Sequence, residues 1–392
     1  AGTHGLRFEV RIRSSDYRDL VVERDGEDLV LRIRDRDDRI AIPDFFAADA
    51  GRSGMTRIAV LQAGTDFVLS DSPGAEAIAA RAVDAPASAQ QWTGTDAAET
   101  RLGAGADDSL DGGDGDDELD GMSGDDALHG GGGDDELFGR SGQDTIDGGD
   151  GADFLGGGRG DDVLRGDAGD DRIVDAFGDN VAEGGDGADV ILLGGSRGLG
   201  RGGAGDDALI ASSGSHLLMG DEGDDSLVAT SGTVELDGGA GDDSISVAAG
   251  AAAIVHFARG SGTDTVDLAG FREHAIGEIR LGAGIAASQV AIRREAGDLV
   301  LSIAGTTDSV RVRSGFSGDQ TAVSRITLAD GGSLDPGAIL ALARQGSALD
   351  DVLVGSAGDD TLSGLGSNDV LDGRAGNDTL DGGTGADSMT GG

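Results

Sequence analysis

The sequence predicts an all-β chain: a long repeat solenoid with small flanking β-rich domains, each ending in a short helix. Three observations lead there. Glycine, acidic and aliphatic residues recur with a period of nine from Gly103 to about Val255, and a fixed period marks a stacked repeat architecture. The segments on either side alternate apolar and polar residues, as half-buried strands do. Ser72-Pro73-Gly74-Ala75 and Asp335-Pro336-Gly337-Ala338 each set a capping residue before proline, the start signal of a helix.

The period matters because composition alone points elsewhere. The chain has 392 residues, a formal net charge of −45, 3% aromatics and 74 glycines. Low hydrophobicity with high net charge describes a disordered chain, which buries too little to offset its ordering entropy. A linker of that kind has no reason to keep an aliphatic residue at every ninth position. All 29 basic residues are arginine. The absence of cysteine excludes disulfides and thiolate metal sites. No apolar run approaches about 18 residues, so no membrane-spanning helix is expected. The acidic balance repels phosphate backbones, so nucleic acid is not an expected partner. The sequence begins at Ala1 without a methionine or a signal peptide, as expected of an excised piece or of export that uses no N-terminal signal.

Gly112-Gly113-Asp114-Gly115-Asp116-Asp117-Glu118-Leu119-Asp120 sets the register, and six further nonapeptides follow without a gap to Val174. The shared pattern is G-G-x-G-x-D-x-U-x, with U a large aliphatic. Position eight holds Leu110, Leu119, Leu128, Leu137, Ile146, Leu155, Leu164 and Ile173; position six holds Asp108, Asp117, Asp126, Asp135, Asp144, Asp153, Asp162 and Asp171.

These residues resemble the RTX nonapeptide repeat of hemolysin-type calcium-binding proteins. The resemblance implies a parallel β-roll in which the first six residues form a turn, the last three a short strand, and the aliphatic side chain points inward. It further implies that repeats 18 residues apart stack along one edge and that the position-six aspartates ligate calcium. The physics is compatible. A hard cation takes six to eight oxygens and accepts carboxylates and carbonyls together. Adjacent carboxylates that would otherwise repel become ligands and neighbouring charge.

Splitting the register by edge separates two histories. One edge carries Asp117, Asp135, Asp153, Asp171, Asp189, Asp207, Asp225 and Asp243 at position six. The other runs Asp108, Asp126, Asp144 and Asp162, then Asn180, Gly198, His216, Val234 and Ala252. At the core position that second edge also has Ala182 and Gly200, where the first keeps Ile191 and Leu209. Calcium is therefore expected along one whole edge and the first half of the other, about ten ions if each gap between aspartate turns holds one. Seventeen nonapeptides give a roll about 40 Å long. Its core is expected to be thin, with metal supplying much of the stability.

The segment His256–Leu268 inserts three residues and returns to the calcium-rich edge with Asp264. Beyond it, "VAIRREAGDLVLSIAGTTDSVRV" from Val290 aligns with "LVVERDGEDLVLRIRDRDDRIAI" from Leu20 at an offset of 270. Strand alternation is plain in Leu29, Leu31 and Ile33 against Val30, Arg32 and Arg34. A second roll starts near Gly346 with Asp351, Asp360, Asp369, Asp378 and Asp387, and brings the expected total to about 13 Ca2+. The expected organisation is a flanking domain at 1–91, a long roll at 94–268, a second flanking domain at 269–345 and a truncated second roll at 346–392. The flanking segments resemble the small domain found beside rolls in hemolysin-type proteins. Residues 103–255 hold 37 acidic and 6 basic residues, a net of −31; residues 1–91 hold 16 and 12, a net of −4. Arg11, Arg13, Arg32 and Arg34 are candidates for contact with acidic polysaccharide, against the plainer reading of a solvated strand face paired with local aspartates.

Other motifs are set aside. Gly194–Gly198 matches G-x-S-x-G around Ser196, and Gly198, Gly200 and Gly203 match G-x-G-x-x-G. Both lie inside repeats without the helix those motifs require. Arg165-Gly166-Asp167 straddles two repeats at a variable turn position. The five histidines show no metal-ligand spacing, and no EF-hand loop is present. The expected function is non-enzymatic: a calcium-dependent scaffold, spacer or adhesive segment of a large secreted or cell-surface bacterial protein. Cell-surface polysaccharide and further copies of the chain are its candidate partners. The resemblance implies type I secretion of the unfolded chain. The rival is the calcium-binding tail of a secreted enzyme or toxin whose active domain lies elsewhere; the repeated flanking segment favours the scaffold.

Overall fold

In the computed structural model the described residues are 88–392, except 269–275, 296, 318–319, 347–349 and 356, together with the backbone of five strands between 20 and 66. The expected helix at Ser72–Ala75 and the arginines Arg11, Arg13 and Arg34 lie outside the described residues, as does the side chain of Arg32.

The repeat folds as a parallel β-roll. Up to Val247 each strand pairs with the strand 18 residues later, which yields two parallel ladders. Leu128 stands opposite Leu110 and Ile146 in one, and Leu137 opposite Leu119 and Leu155 in the other. The inward side chains are the position-eight aliphatics, all 2% exposed or less from Leu110 to Ile173. The tight turns need left-handed backbone. Gly131 has φ +115°, and a Cβ there would collide with the carbonyl oxygen of Gly113 in the turn below.

The second half of the roll departs from a one-aliphatic core. Leu193, Ala211, Ala229 and Val247 are buried too, and so are Val234 and Leu236. At Gly200 the missing side chain is replaced by neighbours: a Cβ would lie 3.0 Å from Leu218 Cδ2 and 3.1 Å from Leu193 Cδ1. One register position also differs from the sequence reading. Ala229 pairs with Val247, but Ser231 pairs with Gly250, so the offset grows from 18 to 19 through a bulge. The residue opposite Val234 is therefore Ala253, which is buried, and not Ala252, which is exposed.

The roll's ladders run on into the next segment. Thr263–Leu268 pairs in parallel with Ser309–Val312, and Ile276–Leu281 pairs in parallel with Ser244–Phe257 and with Ile326–Thr327. Val290–Glu295, Asp298–Ile303 and Ser309–Val312 form an antiparallel meander. The strands Leu20–Asp25, Asp28–Ile33 and Arg39–Ile42 repeat it at the offset of 270: Val22 faces Leu31 as Ile292 faces Leu301. Asp335 caps the helix Pro336–Leu342 by accepting from the Ala338 amide at 2.8 Å. Ile339 of that helix joins the roll's apolar core, which runs unbroken from Leu110 to Ala343. The second roll has its own small core of Leu353, Leu362 and Leu371.

Candidate metal centre

The position-six aspartates form ladders of one repeating contact. The amide of Asp117 donates to Asp135 Oδ1 at 2.7 Å, that of Asp135 to Asp153 Oδ1 at 2.8 Å, and that of Asp153 to Asp171 Oδ1 at 2.8 Å. The series continues through Asp189, Asp207, Asp225 and Asp243 to Asp264, where the three inserted residues stretch it to 3.3 Å. The other edge runs from Asp108 through Asp126 and Asp144 to Asp162, whose own amide donates to Asn180 Oδ1 at 3.1 Å. In the second roll Asp351, Asp369 and Asp387 make one such ladder, and Asp360 and Asp378 the other. All eighteen predicted residues thus fall into four edges. Sixteen of them are at most 3% exposed; Asp378 and Asp387, in the last turns, are partly exposed.

One oxygen is thereby spent on the backbone and the other is left. Oδ2 of Asp117, Asp126, Asp135, Asp144, Asp153, Asp162, Asp171, Asp189, Asp207, Asp225 and Asp243 is buried without a donor. An uncompensated buried carboxylate is costly, and burial favours the protonated form of these groups. Burial pushes Asp126, Asp144, Asp171 and Asp207 up to about 7, against the pull of an amide donor. It pushes Asp135, Asp153, Asp225 and Asp243 up to about 6. Burial and the Asp243 charge beside it push Asp264 up to about 8.

The space around each Oδ2 is kept open by the first glycine of the same repeat. A Cβ on Gly112 would run into Asp117 Oδ2 and lie 2.6 Å from the carbonyl oxygen of Gly130 in the next turn. Gly130, Gly184 and Gly202 show the same relation to Asp135, Asp189 and Asp207. A carboxylate oxygen and a main-chain carbonyl from the next turn therefore border one cradle. Among the described residues no three His, Cys, Asp or Glu side chains converge on a point. A cation here would be held by few carboxylates and several carbonyls, the mixed oxygen set that suits calcium rather than zinc.

Glycine one and aspartate six disappear together. On the incomplete edge the pairs run Gly103 with Asp108, Gly121 with Asp126, Gly139 with Asp144 and Gly157 with Asp162. After Asp175 with Asn180, where both are also replaced, they continue as Leu193 with Gly198, Ala211 with His216 and Ala229 with Val234. The apolar newcomers are at most 2% exposed, so side chain fills what is cradle elsewhere. This covariation was readable in the sequence, at the position that the search for aspartates passes over.

Two other sets of residues escaped the sequence reading. The position-five aspartates form a second ladder pointing the opposite way: Asp107 Oδ1 accepts from the Asp125 amide at 2.9 Å, and Asp206 Oδ1 from the Asp224 amide at 2.9 Å. Each adjacent Asp–Asp pair therefore ties its turn both forward and back. Arginines of the flanking segment also meet the first turn of the second roll, Arg293 at 3.4 Å from Asp351 and Arg344 at 2.8 Å from Asp360.

Comparison with known proteins agrees with this geometry. The family model described as RTX calcium-binding nonapeptide repeat (4 copies) matches residues 93–128, 102–137, 129–164, 165–197, 219–251, 345–380 and 366–392. The stretch it skips inside the long roll, 198–218, holds Gly198, Gly200 and His216. A second family model, the haemolysin-type calcium binding protein related domain, matches residues 298–337. No curated protein matches the chain. Among solved structures, the extracellular lipase LipA from Serratia marcescens is 24% identical over 47% of this chain and 40% of its own, with a TM-score of 0.25. The chain thus spans well under half of that lipase, and so distant a likeness carries no argument. The chain thus carries RTX calcium-binding nonapeptide repeats in two blocks, with a haemolysin-type calcium binding protein related domain between them.

Proposed function

We propose that this chain is a calcium-dependent structural segment, a scaffold or adhesive part, of a large secreted or cell-surface bacterial protein, and that it has no catalysis of its own. The observation that carries the reading is the unbroken ladder from Asp117 to Asp264, with buried, donor-free inner oxygens from Asp117 to Asp243. Calcium supplies the positive charge and the oxygen coordination these carboxylates need, and binding energy of that kind is folding energy. The residues that would hold it are the eighteen position-six aspartates, with the carbonyls of the position-one glycines. One ion per gap gives about 13 per chain, and the stretched gap between Asp243 and Asp264 offers one more.

The modular scaffold is supported by the flanking meander, which recurs at an offset of 270 in the same strand register. A chain with a net charge of −31 over residues 103–255 is expected to remain expanded in a low-calcium cytosol and to fold where calcium is plentiful. Calorimetric titration with calcium, together with metal analysis of the purified chain, tests the reading. About 13 ions taken up cooperatively along each edge support it. One or two independent weak sites contradict it. Retention of the calcium-loaded chain on purified acidic surface polysaccharide, or its association with itself, would separate the adhesive role from a purely mechanical one.

A further inference from the structure

At one gap the repeat breaks its rule and then restores it. Asn180 replaces the position-six aspartate of its turn, and five residues earlier Asp175 replaces the position-one glycine. Asp175 is 1% exposed, and its Oδ2 is buried without a donor, as is Oδ2 of Asp162 in the turn before. The two oxygens meet over Gly157: a Cβ there would run into Asp175 Oδ2 and lie 2.7 Å from Asp162 Oδ2. In the gap above Gly112 the corresponding neighbour is the carbonyl oxygen of Gly130, the position-one residue of the next turn. Here the position-one residue contributes a carboxylate instead.

The surrounding contacts hold this arrangement in place. Asn180 Oδ1 accepts from the Asp162 amide at 3.1 Å, as an aspartate would, and its Nδ2 donates to the Phe177 carbonyl at 2.9 Å. The Phe177 amide donates to Asp175 Oδ1 at 3.3 Å and leaves Oδ2 turned to the gap. A regular gap such as that between Asp144 and Asp162 has two position-six carboxylates. The gap between Asp162 and Asn180 also has two, because Asp175 returns the charge that Asn180 removed. The next pair, Leu193 with Gly198, offers neither carboxylate nor cradle.

We propose that the gap between the Asp162 and Asn180 turns is a fourth calcium site on this edge, with Asp175 as its substitute carboxylate ligand. The site ends the edge's metal row and rests on the calcium reading given above. Two carboxylates forced together in a dry site repel unless a cation or a shared proton lies between them. Only the cation makes Asp175 count in the metal stoichiometry.

The test is calcium content per chain, by elemental analysis after removal of free metal, for wild type, Asp175→Asn, Asp144→Asn and the double variant Asp175→Gly/Asn180→Asp. Asp175→Asn is expected to lose one ion. The double variant, which rewrites the gap as a regular repeat, is expected to regain the wild-type count. If Asp144→Asn loses calcium while Asp175→Asn keeps the full count, a proton joins the pair and the inference falls alone. If Asp175→Asn fails to fold, the double variant decides: a count equal to wild type supports the inference, and a count one ion above wild type, a site gained where none had been, overturns it. Should Asp144→Asn also bind the full complement, the calcium reading of the ladder falls with it.

Discussion

The main-chain amide of Asp207 donates to Oδ1 of Asp225, eighteen residues further on, at 2.8 Å. That bond leaves Asp225 Oδ2 buried with no donor. The same aspartate thus fixes the spacing of two turns and offers an oxygen to the gap between them, so structure and metal site are one object.

Asp207→Ala removes both at once. Asp207 Oδ1 accepts from the Asp189 amide at 2.8 Å, and orphaning that buried amide costs about 1–3 kcal/mol. Two gaps lose a carboxylate, so the calcium count should fall by up to two. His216→Ala, on the incomplete edge, should leave the count unchanged. Metal analysis of the two variants side by side checks this, and equal losses would mean that the register is misassigned.

Gly202→Ala separates space from charge. The added Cβ would run into Asp207 Oδ2 and sit 2.7 Å from the carbonyl of Gly220. No carboxylate is lost and no left-handed backbone is required there. The expected outcome is at least tenfold weaker calcium binding at the neighbouring gaps, read by calorimetry. Unchanged affinity would show that the cradle is not where the cation sits.

In calcium-depleted buffer the roll should lose structure as pH rises. Folded Asp126, Asp144, Asp171 and Asp207 titrate near 7, against about 3.9 in an unfolded chain. Between those values the folded chain binds more protons, so stability falls with rising pH. This contribution is complete below about 4 and gone once pH has passed about 7. With calcium present the slope reverses, because the ion needs the deprotonated form. Thermal melts from pH 4 to pH 8, with and without calcium, check both signs.

How far the sequence disclosed all this depends on how local the cause is. The nine-residue period, the position-six aspartates and the decay toward His216 and Val234 are local, and the roll follows them. The helix at Pro336 follows from Asp335 and the proline alone. The slip that puts Ala253 opposite Val234 was not legible, because a bulge between Ala229 and Ser231 is decided by how two strands pair. Nor were the arginine contacts Arg293–Asp351 and Arg344–Asp360. The first joins residues 58 apart that only the folded flanking segment brings together. Asp175 stood in plain view, but its meaning needs the turn below it: a carboxylate in a glycine's place reads as noise until Gly157 and Asp162 are seen beneath it.

The most direct test of the central claim is far-ultraviolet circular dichroism of the purified chain in chelator and then in millimolar calcium. The ladders of buried, donor-free carboxylates predict a largely unfolded spectrum in chelator that converts to a β spectrum in one cooperative transition as calcium is added. A β spectrum of full intensity in chelator, unchanged by calcium, would contradict the account.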